Sequence, residues 1–213
     1  MKALLIANGN IDNDSYFKAI FEKENYHMIL CIDGGLDKIR KMEIVPHLVL
    51  GDFDSISSQG IEYIRKHHIP IKKFSVEKDE TDTEIGLNYL MENNYKDITM
   101  VGCIGNRMDH TLANIFLLKK LLNHGISGTI INGKNYIYLI DKKTAFLNRK
   151  GDIVSLLPLS NSVKGVTTSG LYYPLNEAEL VKEKPLGISN IIIKDHAEVT
   201  IKEGELLIII SKD

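Results

Sequence analysis

The chain has 213 residues, enough for one large domain or two small ones with a substantial core. Its apolar and charged fractions, 44% and 25%, are those of an ordinary globular protein, and a formal net charge of −2 removes any generic nucleic-acid surface, because there is no basic excess to displace counterions from phosphates. Two cysteines, Cys31 and Cys103, make no disulfide framework, and no apolar run approaches a membrane span, so a cytoplasmic protein is expected.

ALLIA (3–7) predicts a first strand; the apolar stretch at the N-terminus is too short for a signal-peptide core. In SYFKAIFEKEN the residues Tyr16, Phe17, Ile20 and Phe21 share a helical face. MILCI (28–32) is a second strand, followed by Asp33-Gly34-Gly35 and a short helix over LDKIRKM. HLVL is a third strand and GIEYIRKHH a helix, while Pro70 confines IPIKKF to a sheet edge or a strand start. TEIGLNYLMENN is helical, DITMVG is a strand, and HTLANIFLLKKLLNHG is an apolar helix stopped by Gly125. Beyond about residue 126 the runs are short and β-rich: GTIING, YIYLI, TAFL, DIVSLL, SVKGVTT, NIIIK, AEVTI and ELLIIIS. Alternation followed by short strands predicts a Rossmann-like α/β domain with a mostly parallel sheet over residues 1–127, then a smaller antiparallel β-sandwich over 128–213.

In a parallel sheet the strand C-termini share one edge, and ligands bind in the crevice outside them. Polar clusters stand there repeatedly: Asn8-Gly9-Asn10, Asp33-Gly34-Gly35, GDFDS (51–55), KDETD (78–82) and Gly102 through His110. Asp33, Asp52, Asp54, Asp79, Asp82 and Asp109 therefore converge, with Lys78 and Arg107 among them. So many carboxylates repel one another unless a cation is present, and hard oxygen ligands suit Mg²⁺ bridging to nucleotide phosphates. Arg107 and Lys78 supply phosphate donors, and the strand-to-helix turn GCIGNRMDH favours an anion. No G-x-x-x-x-G-K-[ST] occurs, which excludes a P-loop. Each piece also has a plainer reading. Thr81-x-x-Glu84 is a capping box, Ser55 and Asp109 stand where helix N-caps belong, and D-x-D also serves phosphatases with an aspartate nucleophile.

Taken together, Asp33-Gly34-Gly35, GDFDS, KDETD, GNRMDHTLANI (105–115), GVTTSGLYYPL (165–175) and GISN (187–190) resemble, in order and approximate spacing, the signatures of the thiamine pyrophosphokinase (thiamine diphosphokinase) family. The resemblance implies an ATP:thiamine diphosphotransferase that moves the pyrophosphoryl group of ATP to the thiamine hydroxyl, giving thiamine diphosphate and AMP with Mg²⁺. It also implies a homodimer with thiamine at the subunit boundary and the β-domain serving thiamine binding and dimerisation. Carried over to this chain, Asp52, Asp54 and Asp79 hold metal and phosphates, while Asp82, Asp109 and Arg107 line the reacting centre. Asp33, Lys78, Thr81, Arg107 and His110 meet the nucleotide; Asp82, Asp109, Ser189 and Asn190 meet the acceptor. Tyr172 and Tyr173 either stack on the thiazolium or pack within the β-domain. The competing readings are a Mg²⁺-dependent phosphatase with Asp52 as nucleophile and a non-catalytic nucleotide- or thiamine-binding module.

Overall fold

Four consecutive residues, Ala3 to Ile6, are fully buried, which a strand achieves only when both faces of its sheet are covered. They belong to β1 (Lys2–Ile6), the inner strand of a parallel sheet in a computed structural model that describes residues 1–11, 14–74 and 79–212. The chain divides into two units, Met1–Gly133 and Lys134–Asp213.

In the first unit, α1 (Asp14–Lys23) is followed by β2 (Met28–Ile32) and α2 (Gly35–Ile39). Next come β3 (Leu48–Gly51), α3 (Ser58–His67), β4 (Ile71–Lys73) and α4 (Asp82–Glu92), then β5 (Asp97–Val101), α5 (Met108–Asn123) and β6 (Ser127–Asn132). The strands lie in the order β6-β5-β1-β2-β3-β4, every adjacent pair parallel. Strand β4 is the edge: Pro70 precedes it, its three residues are exposed, and Lys72 and Lys73 keep that edge charged. Helix α4 lies close on the sheet at Gly86, where a Cβ would stand 2.6 Å from Ile32 Cδ1 and 3.0 Å from Leu5 Cδ1. Helix α5 ends at Gly125, whose φ of +64° and bond to the Leu122 carbonyl make the left-handed stop expected of it.

The second unit holds β7 (Asn135–Ile140), β8 (Lys143–Leu147), β9 (Ile153–Pro158) and β10 (Ser162–Ser169). They are followed by β11 (Ala178–Val181), β12 (Asn190–Ile191), β13 (His196–Thr200) and β14 (Leu206–Ser211). Antiparallel pairing gives two layers, β12-β9-β14-β7 and β11-β10-β13-β8. Val154, Leu156, Ile208 and Ile210 of the first layer share a core with Phe146, Val163, Val166 and Val199 of the second. This is the expected sandwich.

Three expectations change. GTIING, read from sequence with the sandwich, is β6 and pairs parallel with β5 from Asp97↔Ser127 to Val101↔Ile131, so the first unit runs six residues past the expected boundary at 127. A short apolar run does not announce the direction of its pairing; the α5 crossover does. Strand β11 had no sequence signal because only Leu180 of its four residues is buried. Ser55 is not a helix cap: Ser57 caps α3, its Oγ accepting from Gly60 N–H at 3.1 Å.

Candidate functional site

Strands β1 and β5 are neighbours, yet the chain leaves them toward opposite sides of the sheet, which makes the gap beyond their carboxyl ends the topological switch point. Pairing continues past the strands there: Gly9 N–H donates to the Gly102 carbonyl at 2.7 Å and Asn10 N–H to that of Ile104 at 2.9 Å. The two loops touch so closely that a Cβ on Gly9 would stand 2.3 Å from the Gly102 oxygen, and Gly102 itself has φ +66°. A cleft of about 500 Å³ opens beside them. It is lined by Ala7 to Asn10 after β1, Asp33 after β2, Asp52, Asp54 and Ser55 after β3, and Asp82 and Thr83 of α4. Gly102 to Arg107, with His110, Thr111 and Asn114 of α5, complete it.

On the β2–β3 side the chain is bent around one buried carboxylate. Asp33 is 5% exposed and has φ +42°; its Oδ1 accepts from Phe53 N–H at 3.1 Å, and Phe53 has φ +72°. Ser55 Oγ accepts from Gly34 N–H at 3.2 Å, and Asp52 Oδ1 from Asp54 N–H at 3.1 Å. Burial pushes the Asp33 carboxyl up to about 6, and the negative neighbours Asp82, Asp52 and Asp54 add to the rise against the Phe53 bond. A hydrogen bond with the Asp52 carboxyl, then repulsion from its charge, raises Asp54 above the usual carboxylate range. Acids held together at this cost are a site for positive charge.

The β5–α5 side is organised oppositely. Arg107 grips Asp109 with two bonds, Nε to Oδ1 at 3.2 Å and Nη2 to Oδ2 at 2.6 Å, and both side chains are exposed. The guanidinium holds the Asp109 carboxyl down to about 2. Beneath them, Thr111 Oγ1 accepts from Gly105 N–H at 3.2 Å and Asn114 Nδ2 donates to the Cys103 carbonyl at 2.8 Å.

Of the residues expected from sequence, Asp33, Asp52, Asp54, Asp82, Arg107 and His110 line the cleft. Asp79 and Asp109 are exposed and neither is among the lining residues, and no group of three His, Cys, Asp or Glu side chains forms a ready metal cage among the described residues. Thr81 caps α4, its Oγ1 accepting from Glu84 N–H at 3.2 Å, so the capping-box reading describes its side chain. Asp109 stands in the first turn of α5, whose N-cap is Arg107 without a side-chain cap bond; the N-cap reading of Asp109 is corrected. Lys78 lies outside the described residues. In the second unit Asn190 is buried, with Oδ1 accepting from Tyr173 N–H at 3.0 Å and Nδ2 donating to the Tyr173 carbonyl at 2.7 Å; Ser189 is exposed with φ +57°.

Thr111, Asn114 and Ser55 were not singled out from sequence as site residues. For the first two a signal existed: Thr111, Asn114, Leu118 and Leu121 make one buried helical stripe whose first two members are polar, which asks for bonded partners. Ser55 carried none, because its partner is a backbone amide from another loop.

The comparisons with known proteins agree along the chain. Residues 19–130 match the family model "Thiamin pyrophosphokinase, catalytic domain" and residues 138–207 match "Thiamin pyrophosphokinase, vitamin B1 binding domain". A thiamine pyrophosphokinase of Bacillus subtilis is 30% identical over 184 residues, spanning 85% of this chain and 86% of that protein. The crystal structure of thiamine pyrophosphokinase from Bacillus subtilis superposes with a TM-score of 0.90 at 26% identity, all of each chain being covered. That of Candida albicans, at 20% identity, shares the fold with a TM-score of 0.83 over 100% of this chain and 89% of its own.

Proposed function

This chain belongs to the thiamin pyrophosphokinase family, and from that premise we propose that its cleft transfers the pyrophosphoryl group of ATP to thiamine with a magnesium ion. The thiamine hydroxyl oxygen attacks the β-phosphorus, the bond from that phosphorus to the α,β-bridging oxygen breaks, and AMP leaves as the hydroxyl proton passes to a base. The observation that carries this reading is the cleft itself. Carboxylates after β3 and at the start of α4 share it with a guanidinium after β5, at the switch point where α/β sheets bind ligands.

Asp52 and Asp54 fit the ion, being hard oxygen donors held against each other at the cleft. Bound there, it would neutralise charge on the phosphate oxygens. Arg107 presents a planar fork suited to the transferred phosphates, and the guanidinium exchanges Asp109 for them when ATP binds. His110 offers a further donor from the first turn of α5. Asp82 is the base in this reading. Asp109, held near 2, is a poor proton acceptor and orients Arg107 instead. Thr81 caps the helix that Asp82 opens. Little covalent chemistry is asked of the protein beyond alignment and charge neutralisation.

For the acceptor, the acidic cleft suits a cationic thiazolium. In the second unit Tyr172 and Tyr173 are 59% and 65% exposed, set edge to face at 4.8 Å, and Asn190 is bonded to the Tyr173 backbone. Two exposed π faces are a fitting stack for a cation, and Asn190 fixes them through the Tyr173 backbone. A homodimer is supported by Met108, Leu112 and Phe116, spaced four apart on α5 and 62%, 46% and 56% exposed, which form an apolar stripe along the helix. No described helix is long and apolar enough to cross a membrane. Both cysteines are free and buried, which fits work in the reducing cytoplasm.

The test is a product assay. Purified protein given Mg–ATP and thiamine yields AMP and thiamine diphosphate in equal amounts; ADP with thiamine monophosphate would overturn pyrophosphoryl transfer.

A further inference from the structure

We infer that Asp33 is a positioning residue: its buried carboxylate is the post around which the GDFDS loop is wound, and it acts on the reaction through Asp52 and Asp54 rather than by touching nucleotide. The inference rests on the reading of those two aspartates as magnesium ligands. It reassigns Asp33 from the nucleotide contact expected of it.

Four observations carry it. The Asp33 carboxylate is directed at the loop: a Cβ built on Gly51 would lie 1.7 Å from Asp33 Oδ1 and 2.8 Å from Oδ2, so the space at the loop's first residue is filled by this side chain. Its Oδ1 accepts from Phe53 N–H, the amide between those of Asp52 and Asp54, and so fixes the Asp52–Phe53 peptide. Phe53 sits at φ +72° and Asp33 at φ +42°, conformations a non-glycine residue keeps only when its surroundings over-determine them. A second and a third tether join the same segments, Gly34 N–H to Ser55 Oγ and Asp33 N–H to the Leu50 carbonyl at 3.1 Å. With the odd-numbered centre of the loop tied inward, the side chains of Asp52 and Asp54 on either side both line the cleft.

The position also explains the glycine. Any residue but glycine at 51 evicts the post, so Gly51→Ala and Asp33→Ala are two routes to one defect. The experiment compares both with Asp33→Asn, which keeps an oxygen acceptor for Phe53 N–H while losing the charge, and with Asp54→Asn. Three quantities are read: exchange of the Phe53 amide with deuterium, affinity for Mn²⁺ alone by calorimetry, and kcat with KM for Mg–ATP.

For Asp33→Ala and Gly51→Ala the expected result is Phe53 exchange at least tenfold faster, Mn²⁺ affinity about tenfold weaker and kcat/KM down at least a hundredfold. Asp33→Asn keeps the slow exchange and recovers most of the Mn²⁺ affinity and turnover, within about tenfold of wild type. An Asp33→Asn protein as inactive as Asp33→Ala, with slow Phe53 exchange and unchanged Mn²⁺ affinity, would mean direct action of the carboxylate and overturn the inference. So would unchanged Phe53 exchange in Asp33→Ala. If the wild type itself makes no thiamine diphosphate, the reading of the cleft fails, but amide exchange and Mn²⁺ binding still decide whether Asp33 is the post. Should either alanine variant fail to fold, the other alanine variant and Asp33→Asn carry the same comparison.

Discussion

The two sides of the cleft use the same residue type in opposite ways. On the β2–β3 side Asp33 is buried and crowded by other acids, and its carboxyl is pushed up to about 6. On the β5–α5 side Asp109 is exposed and gripped by Arg107, and its carboxyl is held down to about 2. What separates them is not distance along a sheet edge but what each loop brings. The loops after β2 and β3 bring three aspartates, Asp33, Asp52 and Asp54, and no guanidinium; the loop after β5 brings a guanidinium two residues before its acid. Among the described lining residues, one side gathers carboxylates and the other presents a guanidinium. A magnesium nucleotide, a cation joined to a polyanion, has a fitting partner on each side.

The largest expected effect breaks the acidic side. Asp54→Asn lowers kcat between about 100- and 1000-fold, as removal of preorganised charge stabilisation does; activity close to wild type would take Asp54 out of the metal site. The next sharpens the division of labour between acids. Asp82→Asn lowers kcat about a hundredfold if it is the base, whereas Asp109→Asn, which only frees Arg107, lowers kcat/KM less than about tenfold and mainly through KM. A reversal of that order would move the base to the β5–α5 side.

A third effect is on stability. The folded Asp33 carboxyl binds its proton more tightly than the unfolded one, so its contribution to stability is full below about pH 4 and is lost as pH rises through about 6. Metal-free Asp33→Asn is therefore expected to melt about 3 °C above wild type at pH 8 and to lose that advantage by pH 4. A constant gap across that range would show that charge is not what burdens the site. The smallest effect is on Asp109. Its depressed carboxyl adds stability above about pH 4 that fades as pH falls toward 2. Titrated by NMR, Asp109 should move up toward 3.8 in Arg107→Ala, and the melting temperature should barely change because the pair is exposed.

Much of this protein is written locally. Alternating apolar runs and helical stripes announce the strands β1 to β3 and β5 and the helices between them, because burial on both faces of a parallel sheet leaves little but aliphatic residues in ALLI, MILCI and LVLG. Direction alone then sends every loop after those strands to one edge, so the meeting of Asp33 with Asp52 and Asp54 is legible in the sequence. The Thr81 cap was equally legible, since a capping box is a four-residue affair.

Tertiary structure decided the rest, and in each case the deciding contact joins residues distant in sequence. That GTIING completes the parallel sheet follows from its pairing with β5. The grip of Thr111 and Asn114 on the preceding loop turns a polar start of a buried stripe into a support for the cleft. Above all, nothing in Asp33-Gly34-Gly35 or in GDFDS says that a carboxylate from one occupies the space a side chain would need in the other. Hydrophobic periodicity is a property of a segment, whereas the pKa of an acid and the shape of a loop depend on what the fold packs against them.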